Sequence, residues 1–231
     1  MNDIVYFLRE GKNLELIYSL RSVEQNFPHR MVIFYGGKPD GITPDAYHPI
    51  DQKGTTKWER VRNMLIKACE NNGITPNFWV FNDDFFVMRR QTEPKNYYDG
   101  TLAERIAQIE KVVFGRHTNY SNQLRHLVET LKEAGIEKPL NYAVHMPMLI
   151  NRKKMLATLE KYPDEPMFRA LYGNINKIKA ENHPDVKFVQ LRQPYPVGDY
   201  ASTTEDSFKY EHIGTIIRQA FPKPSRFEDG Q

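Results

Sequence analysis

Two adjacent carboxylates stand inside an aromatic stretch of the chain, Phe78-Trp79-Val80-Phe81-Asn82-Asp83-Asp84-Phe85-Phe86. An ionised carboxylate without a partner is costly to bury. A doublet at the exit of an apolar strand therefore calls for a ligand or a cation. Carboxylate oxygens suit Mg2+ or Mn2+. Such an ion can bridge a diphosphate and neutralise the charge that builds on a departing nucleotide. In open α/β sheets, ligands gather at the carboxyl ends of the strands, which is where this doublet falls. The competing reading is an exposed turn, for which Asn and Asp are common residues. The apolar neighbours on both sides favour a site.

The elements around the doublet read as α/β. Ile4 to Leu8 is a short apolar run closed by a polar loop, as expected of a buried strand. Leu16, Leu20 and Val23 recur at helical spacing before Phe27-Pro28. Met31 to Tyr35 is a second strand, stopped by Gly36-Gly37. This β-α-β unit implies a parallel pair with a right-handed crossover. Residues 38–56 read as a long loop. A helix is expected over 57–72, with Trp58, Val61, Leu65 and Ala68 on one face, followed by a core strand at Phe78–Phe81. Beyond the doublet, residues 89–100 are loop-like. Helices are expected near 102–113, 122–134, 151–161, 168–179 and 206–220, with one strand or two short ones over 141–150. Gly36-Gly37 lacks the spacing of a phosphate-binding loop. No repeat or linker divides the chain, so a single domain over 1–231 is expected.

Composition narrows the class. The chain has 231 residues, 40% of them hydrophobic and 26% charged, enough for a sizeable core. The net charge of +3 suits an anionic ligand and falls short of the dense basic stripe of a dedicated nucleic-acid binder. Cys69 is the one cysteine. It excludes a disulfide within the chain, points to a cytoplasmic setting, and reads as a small buried hydrophobe. No apolar run is long enough for a membrane span, and the N-terminus has no signal-peptide pattern.

Phe81-Asn82-Asp83-Asp84-Phe85-Phe86 resembles the acidic motif of GT-A-type glycosyltransferases, and more closely that of the Stealth family of capsule-type sugar-1-phosphate transferases. Asp3-Ile4-Val5-Tyr6 resembles that family's opening strand, and Tyr18-Ser19-Leu20-Arg21-Ser22-Val23 the helix after it. Val144-His145-Met146-Pro147 resembles a later His-x-Pro segment. Phe221-Pro222-Lys223-Pro224-Ser225-Arg226-Phe227-Glu228 resembles a terminal one. Phe7-Leu8-Arg9-Glu10-Gly11 departs from the Trp-Val-Asp-Gly-like loop usual after the first strand. The resemblance implies a GT-A-like (Rossmann-like), mostly parallel sheet flanked by helices. It implies metal-dependent transfer of a sugar or sugar phosphate from a nucleotide-sugar to a hydroxyl, with a glycan or wall polymer as acceptor. A hydroxylated base in DNA is the alternative acceptor, suggested by the basic pI. A nucleotide- or nucleic-acid-binding protein with no catalysis is the alternative class.

In that reading Asp84 is the primary metal ligand, Asp83 beside it is both a ligand and a catalytic residue, Asn82 is donor-binding, and Mn2+ or Mg2+ is the ion. His145 completes the site as ligand or base, roles that a neutral imidazole allows. Arg9, at the end of the first strand, and Arg21 are donor-binding candidates, because guanidinium groups hold phosphates in two-point fashion. Arg60 and Asn63 lie on the helix leading to the acidic strand, where a solvated face explains them equally well. Ser225 and Arg226 could close over the diphosphate, against the simpler reading of a frayed tail. The donor-binding part is expected in about 1–90 and the acceptor part in about 91–231.

Overall fold

The computed structural model describes residues 1–51, 56–114, 116–188 and 198–230. Part of the expected 38–56 loop, residues 52–55, lies outside the described residues. In the first half the elements are β1 (Asp3–Leu8), α1 (Leu14–Asn26), β2 (Val32–Gly36), β3 (Ala46–Pro49), α2 (Lys57–Glu70), β4 (Asn77–Phe81), β5 (Phe85–Val87) and β6 (Tyr97–Tyr98). In the second half follow α3 (Leu102–Val112), α4 (Asn119–Glu133), β7 (Met148–Asn151), α5 (Arg152–Lys161), α6 (Phe168–Ile175), β8 (Glu181–Asn182), β9 (Lys187–Phe188), β10 (Tyr200–Thr203), α7 (Glu205–Tyr210) and α8 (His212–Ala220).

The main sheet has the order β3-β2-β1-β4-β7. Its first four strands are parallel and β7 is antiparallel to β4. The fold is thus α/β with a mainly parallel sheet flanked by helices. Alternate residues of β1 serve opposite faces, as the two-residue period of a strand requires. Ile4, Tyr6 and Leu8 pack with Leu16, Leu20 and Val23 of α1, while Val5 packs with Met64, Leu65 and Ala68 of α2. Helices on both faces explain why β1, β2 and β4 are near-continuous apolar runs. Helix α2 starts at a capping box, in which Thr56 and Glu59 satisfy each other's backbone N–H.

Several expected elements differ. β3 forms inside the expected 38–56 loop and adds a fourth parallel strand, because Asp45 accepts the Val32 backbone N–H at 2.8 Å and guides the pairing. Of the expected 141–150 strand only 148–150 pair, as part of β7. Residues before it satisfy their backbone with side chains: Asn141 accepts from the Ala143 N–H at 3.1 Å and Asp185 from the His145 N–H at 2.8 Å. The expected 206–220 helix is two helices meeting at Glu211. The bend lets Gly214 approach the Phe208 carbonyl so closely that a Cβ would collide with it. β5 leaves the main sheet and pairs antiparallel with β10, which pairs parallel with β9. No helix among the described residues is long and apolar enough to cross a membrane.

Candidate active site

The chain leaves β1 through α1 on one face and enters β4 from α2 on the other, so the crossovers diverge between these neighbouring strands. A crevice opens at such a switch point, beyond the carboxyl ends. The register Tyr6↔Phe81 lets β1 run on to Leu8, two residues past the level at which β4 ends. Here lies a cleft of about 760 Å3, lined by Arg9 from the end of β1 and by Asn82, Asp83 and Asp84 from the end of β4. The three residues form a tight turn closed by the Phe85 N–H donating to the Asn82 carbonyl at 3.2 Å.

Asp83 points back toward α1, where Asn13 Nδ2 donates to its Oδ2 at 2.6 Å. Asn13 also caps α1 by accepting the Leu16 N–H at 3.0 Å, so one side chain ties the helix start to the acidic turn. Burial and the charge of Asp84 raise the Asp83 pKa, against the pull of Asn13 and Arg9. Asp84 faces the second sheet. Its Oδ2 accepts Ser202 Oγ at 2.9 Å and forms an ion pair with Lys187. The same ammonium donates to the Thr203 carbonyl. Glu15, in the first turn of α1, accepts Thr203 Oγ1 at 2.5 Å. Burial, together with the charges of Asp84 and Asp83, pushes its pKa up to about 7, although Thr203 and Lys187 pull the other way. Glu15 and Asp83 therefore both favour the protonated form more than a free carboxylate does.

Across the cleft, His145 is held at two points by Asp185. The backbone N–H donates to Oδ1 and ring Nδ1 to Oδ2, each at 2.8 Å. This fixes the ring and leaves Nε2 as the nitrogen available to chemistry. Burial alone would raise the Asp185 pKa, yet the bonds and charge of His145 bring it below the usual value. Arg169 of α6 also lines the cleft. One guanidinium nitrogen donates to the Met146 carbonyl, while Nε is shut from solvent with no hydrogen-bond partner. The group lies 5.6 Å from the centre of the Phe85 ring. Burial lowers its pKa to about 10, partly offset by Asp185 and Asp84.

The structure thus gathers Arg9, Arg60, Asn82, Asp83, Asp84 and His145 around one cleft. It places four expected residues elsewhere. Arg21 makes a two-point ion pair with Glu228, at 2.8 and 2.6 Å, and donates to the Phe221 carbonyl at 3.0 Å. Its role is to fasten the C-terminal segment. Ser225 is buried beside Glu228, and Arg226 pairs with Asp45 and Glu24. That segment therefore docks against α1 and the start of β3 instead of closing over the cleft. Asn63 is exposed on α2 and does not line the cleft. Trp58 and Val61, expected to share a face with Leu65 and Ala68, both line the cleft; Val61 also packs on the core, whereas Trp58 is 38% exposed.

A divalent ion on Asp83, Asp84 and His145 does not fit these contacts. Asp84 already holds an ammonium through Oδ2 and Asp83 is turned to Asn13, whereas His145 keeps Nε2 open. Among the described residues, no group of three His, Cys, Asp or Glu side chains is arranged to hold a metal.

Sequence reasoning missed Glu15, Arg169, Asp185 and Lys187. None carries a local motif: Lys187 and Asp84 are 103 residues apart, and Glu15 and Thr203 are 188 apart. The one available signal was Asn13-Leu14-Glu15, a capping residue with an acid in the first turn just past the first strand end.

No family model matches the sequence, and no curated protein matches it. Among solved structures, the chain is similar to the galactosyltransferase LgtC in complex with donor and acceptor sugar analogues, with a TM-score of 0.45 and 13% identity over 97% of this chain and 98% of that one. An active-site mutant of LgtC gives a TM-score of 0.44 at 13% identity, over the same shares. The glycosyltransferase GlyE of Streptococcus pneumoniae TIGR4 gives 0.34 at 11% identity, over 96% of this chain and 49% of that one.

Proposed function

We propose that the protein transfers a sugar, or a sugar phosphate, from a nucleotide-sugar to a hydroxyl acceptor. The observation that carries this reading is the pairing of a cationic floor with an acidic turn in one switch-point cleft. Six cationic side chains line it (Arg9, Lys57, Arg60, Arg105, Arg169, Lys187) against four acidic ones (Glu15, Asp83, Asp84, Glu205). Arg169 matters most, because its guanidinium lines the cleft in a largely desolvated setting and suits an anion there. A nucleotide diphosphate supplies that anion, and the exposed ring of Trp58 offers a stacking face for its base. The resemblance of Phe81–Phe86 to the acidic motif of GT-A-type and Stealth transferases supports the same reading.

In sugar transfer, the acceptor oxygen bonds to the anomeric carbon as that carbon's bond to the diphosphate breaks. The nucleoside diphosphate leaves with the electron pair. In sugar-phosphate transfer, the oxygen attacks the sugar-linked phosphorus and the nucleoside monophosphate leaves. Either way the acceptor hydroxyl must lose a proton. His145 Nε2 is placed to take it, with Asp185 steadying the imidazolium that results. Arg169 and Arg9 hold the phosphates. The acceptor is a glycan or wall polymer or a hydroxylated DNA base, and a gel shift across salt separates them, since only DNA binding carries a steep salt slope. A reducing cytoplasm suits the single buried thiol, Cys69.

The test is a thermal-shift panel of UDP-, GDP-, ADP- and CMP-linked sugars, followed by turnover of the donor that binds. Asp84→Ala should abolish turnover while circular dichroism shows the fold retained. Full activity in that variant refutes the assignment.

A further inference from the structure

The expectation of a divalent ion and the contacts of Asp84 disagree, and that disagreement points to the nature of the site. We infer that Lys187 is the resident cation of the acidic turn, and that the cleft takes its diphosphate ligand without a divalent metal. The part concerning the diphosphate rests on the transferase reading; the part concerning the cation does not.

Three observations support it. Lys187 is positioned by strand pairing, not by a loose side-chain swing: β9 and β10 run parallel with Lys187 opposite Ser202. From there the ammonium meets Asp84 Oδ2 and the Thr203 carbonyl, with Ser202 Oγ at 3.3 Å. Both partners of the ion pair are largely shielded, at 19% and 14% side-chain exposure. Screening by water is therefore weak, and a second cation on the same carboxylate would meet undiminished repulsion. Finally, Lys187 lines the cleft beside Arg169, so its charge is available to a ligand. The contact with Ser202 is the longest of the three and is the one a phosphate oxygen can replace. An ammonium is a good phosphate partner as a point charge. It can offset the charge on a leaving diphosphate as a metal would, with no exchangeable ion in the site.

The experiment has two arms on the full chain. The first titrates Mn2+ into protein without nucleotide, followed by the electron paramagnetic resonance of free Mn2+. Wild type and Lys187→Arg should take up little. Lys187→Met, which removes the charge and keeps the stem, should gain Mn2+ affinity by roughly tenfold or more. Adding Asp84→Asn to it should abolish the gain. The second arm measures UDP, GDP and ADP binding to wild type by calorimetry, in EDTA and in Mn2+. The diphosphate that binds should do so equally in both. The inference is overturned if wild type binds Mn2+ through Asp84, if Lys187→Met gains no Mn2+, or if EDTA removes diphosphate binding. Should Lys187→Met fail to fold, the wild-type measurements decide alone. If no diphosphate binds under either condition, the transferase reading falls, while the Mn2+ arm still decides the role of Lys187.

Discussion

Replacing Glu15 with Gln should change how stability depends on pH, with a sign and size set by the cleft. The Glu15 pKa rises from an ordinary 4.5 to about 7, first through burial and then through Asp84 and Asp83. Between those values the folded protein holds a proton that the unfolded chain has released. Stability therefore falls as pH rises through this window, the reverse of a salt-bridged carboxylate. At about 1.36 kcal/mol per pKa unit the full shift corresponds to roughly 3.4 kcal/mol. Glu15 is only partly buried, so solvent screening reduces this to about 1.5 kcal/mol. Gln keeps an oxygen for Thr203 and has no proton to lose. Urea unfolding of both proteins at about pH 5 and about pH 8 gives the comparison. The Asp83 pKa is raised too, so the difference between variant and wild type is the informative quantity. The variant should gain about 1.5 kcal/mol on wild type between the two conditions. A constant difference across the window would show that Glu15 is already ionised and refute the crowding of charge described for the cleft.

Asp3 sits at the opposite end of β1, fully buried, with Arg30 on both oxygens at 2.7 and 2.6 Å and the Thr75 N–H at 2.8 Å. Burial would raise its pKa, but these partners bring it below 3.8. Its contribution is present above the unfolded value and lost as pH falls through the folded one. Asp3→Asn should cost about 2–3 kcal/mol near neutral pH, by urea unfolding, and less in acid. Trp58→Ala should leave stability within about 0.5 kcal/mol, because the ring is exposed. It should weaken nucleotide diphosphate binding on the order of tenfold by calorimetry, if the ring stacks on the base.

The framework that holds the cleft was legible because its signals are local. β1, α1, β2, α2 and β4 each announce themselves by apolar period and by their stops, and the acidic turn follows from two carboxylates at a strand exit. What escaped was written in the chemistry of pairing. β10 is Tyr-Ala-Ser-Thr, with two polar residues of four, yet all four are buried, because Ser202 and Thr203 find Asp84 and Glu15 as partners. β3 ends in a proline and is flanked by turn residues, which disguise an edge strand. Arg21 and Arg226 look like ligand holders in the sequence, since a guanidinium reads the same whether it grips a phosphate or Glu228. Only the folded partner distinguishes them. Asp185 and Lys187 stand in an unremarkable stretch, His183-Pro184-Asp185-Val186-Lys187, and acquire meaning through His145 and Asp84.

The second sheet also carries a consequence for the order of assembly. Asp84 receives Lys187 and Ser202 from 103 and 118 residues downstream. Closing loops of that length is slow compared with forming β-α-β units between neighbours. The parallel strands can therefore come together while the acidic turn still faces water with no counter-charge. During refolding, helix and sheet signals should recover first and nucleotide binding later. The lag between them would time the arrival of β9 and β10.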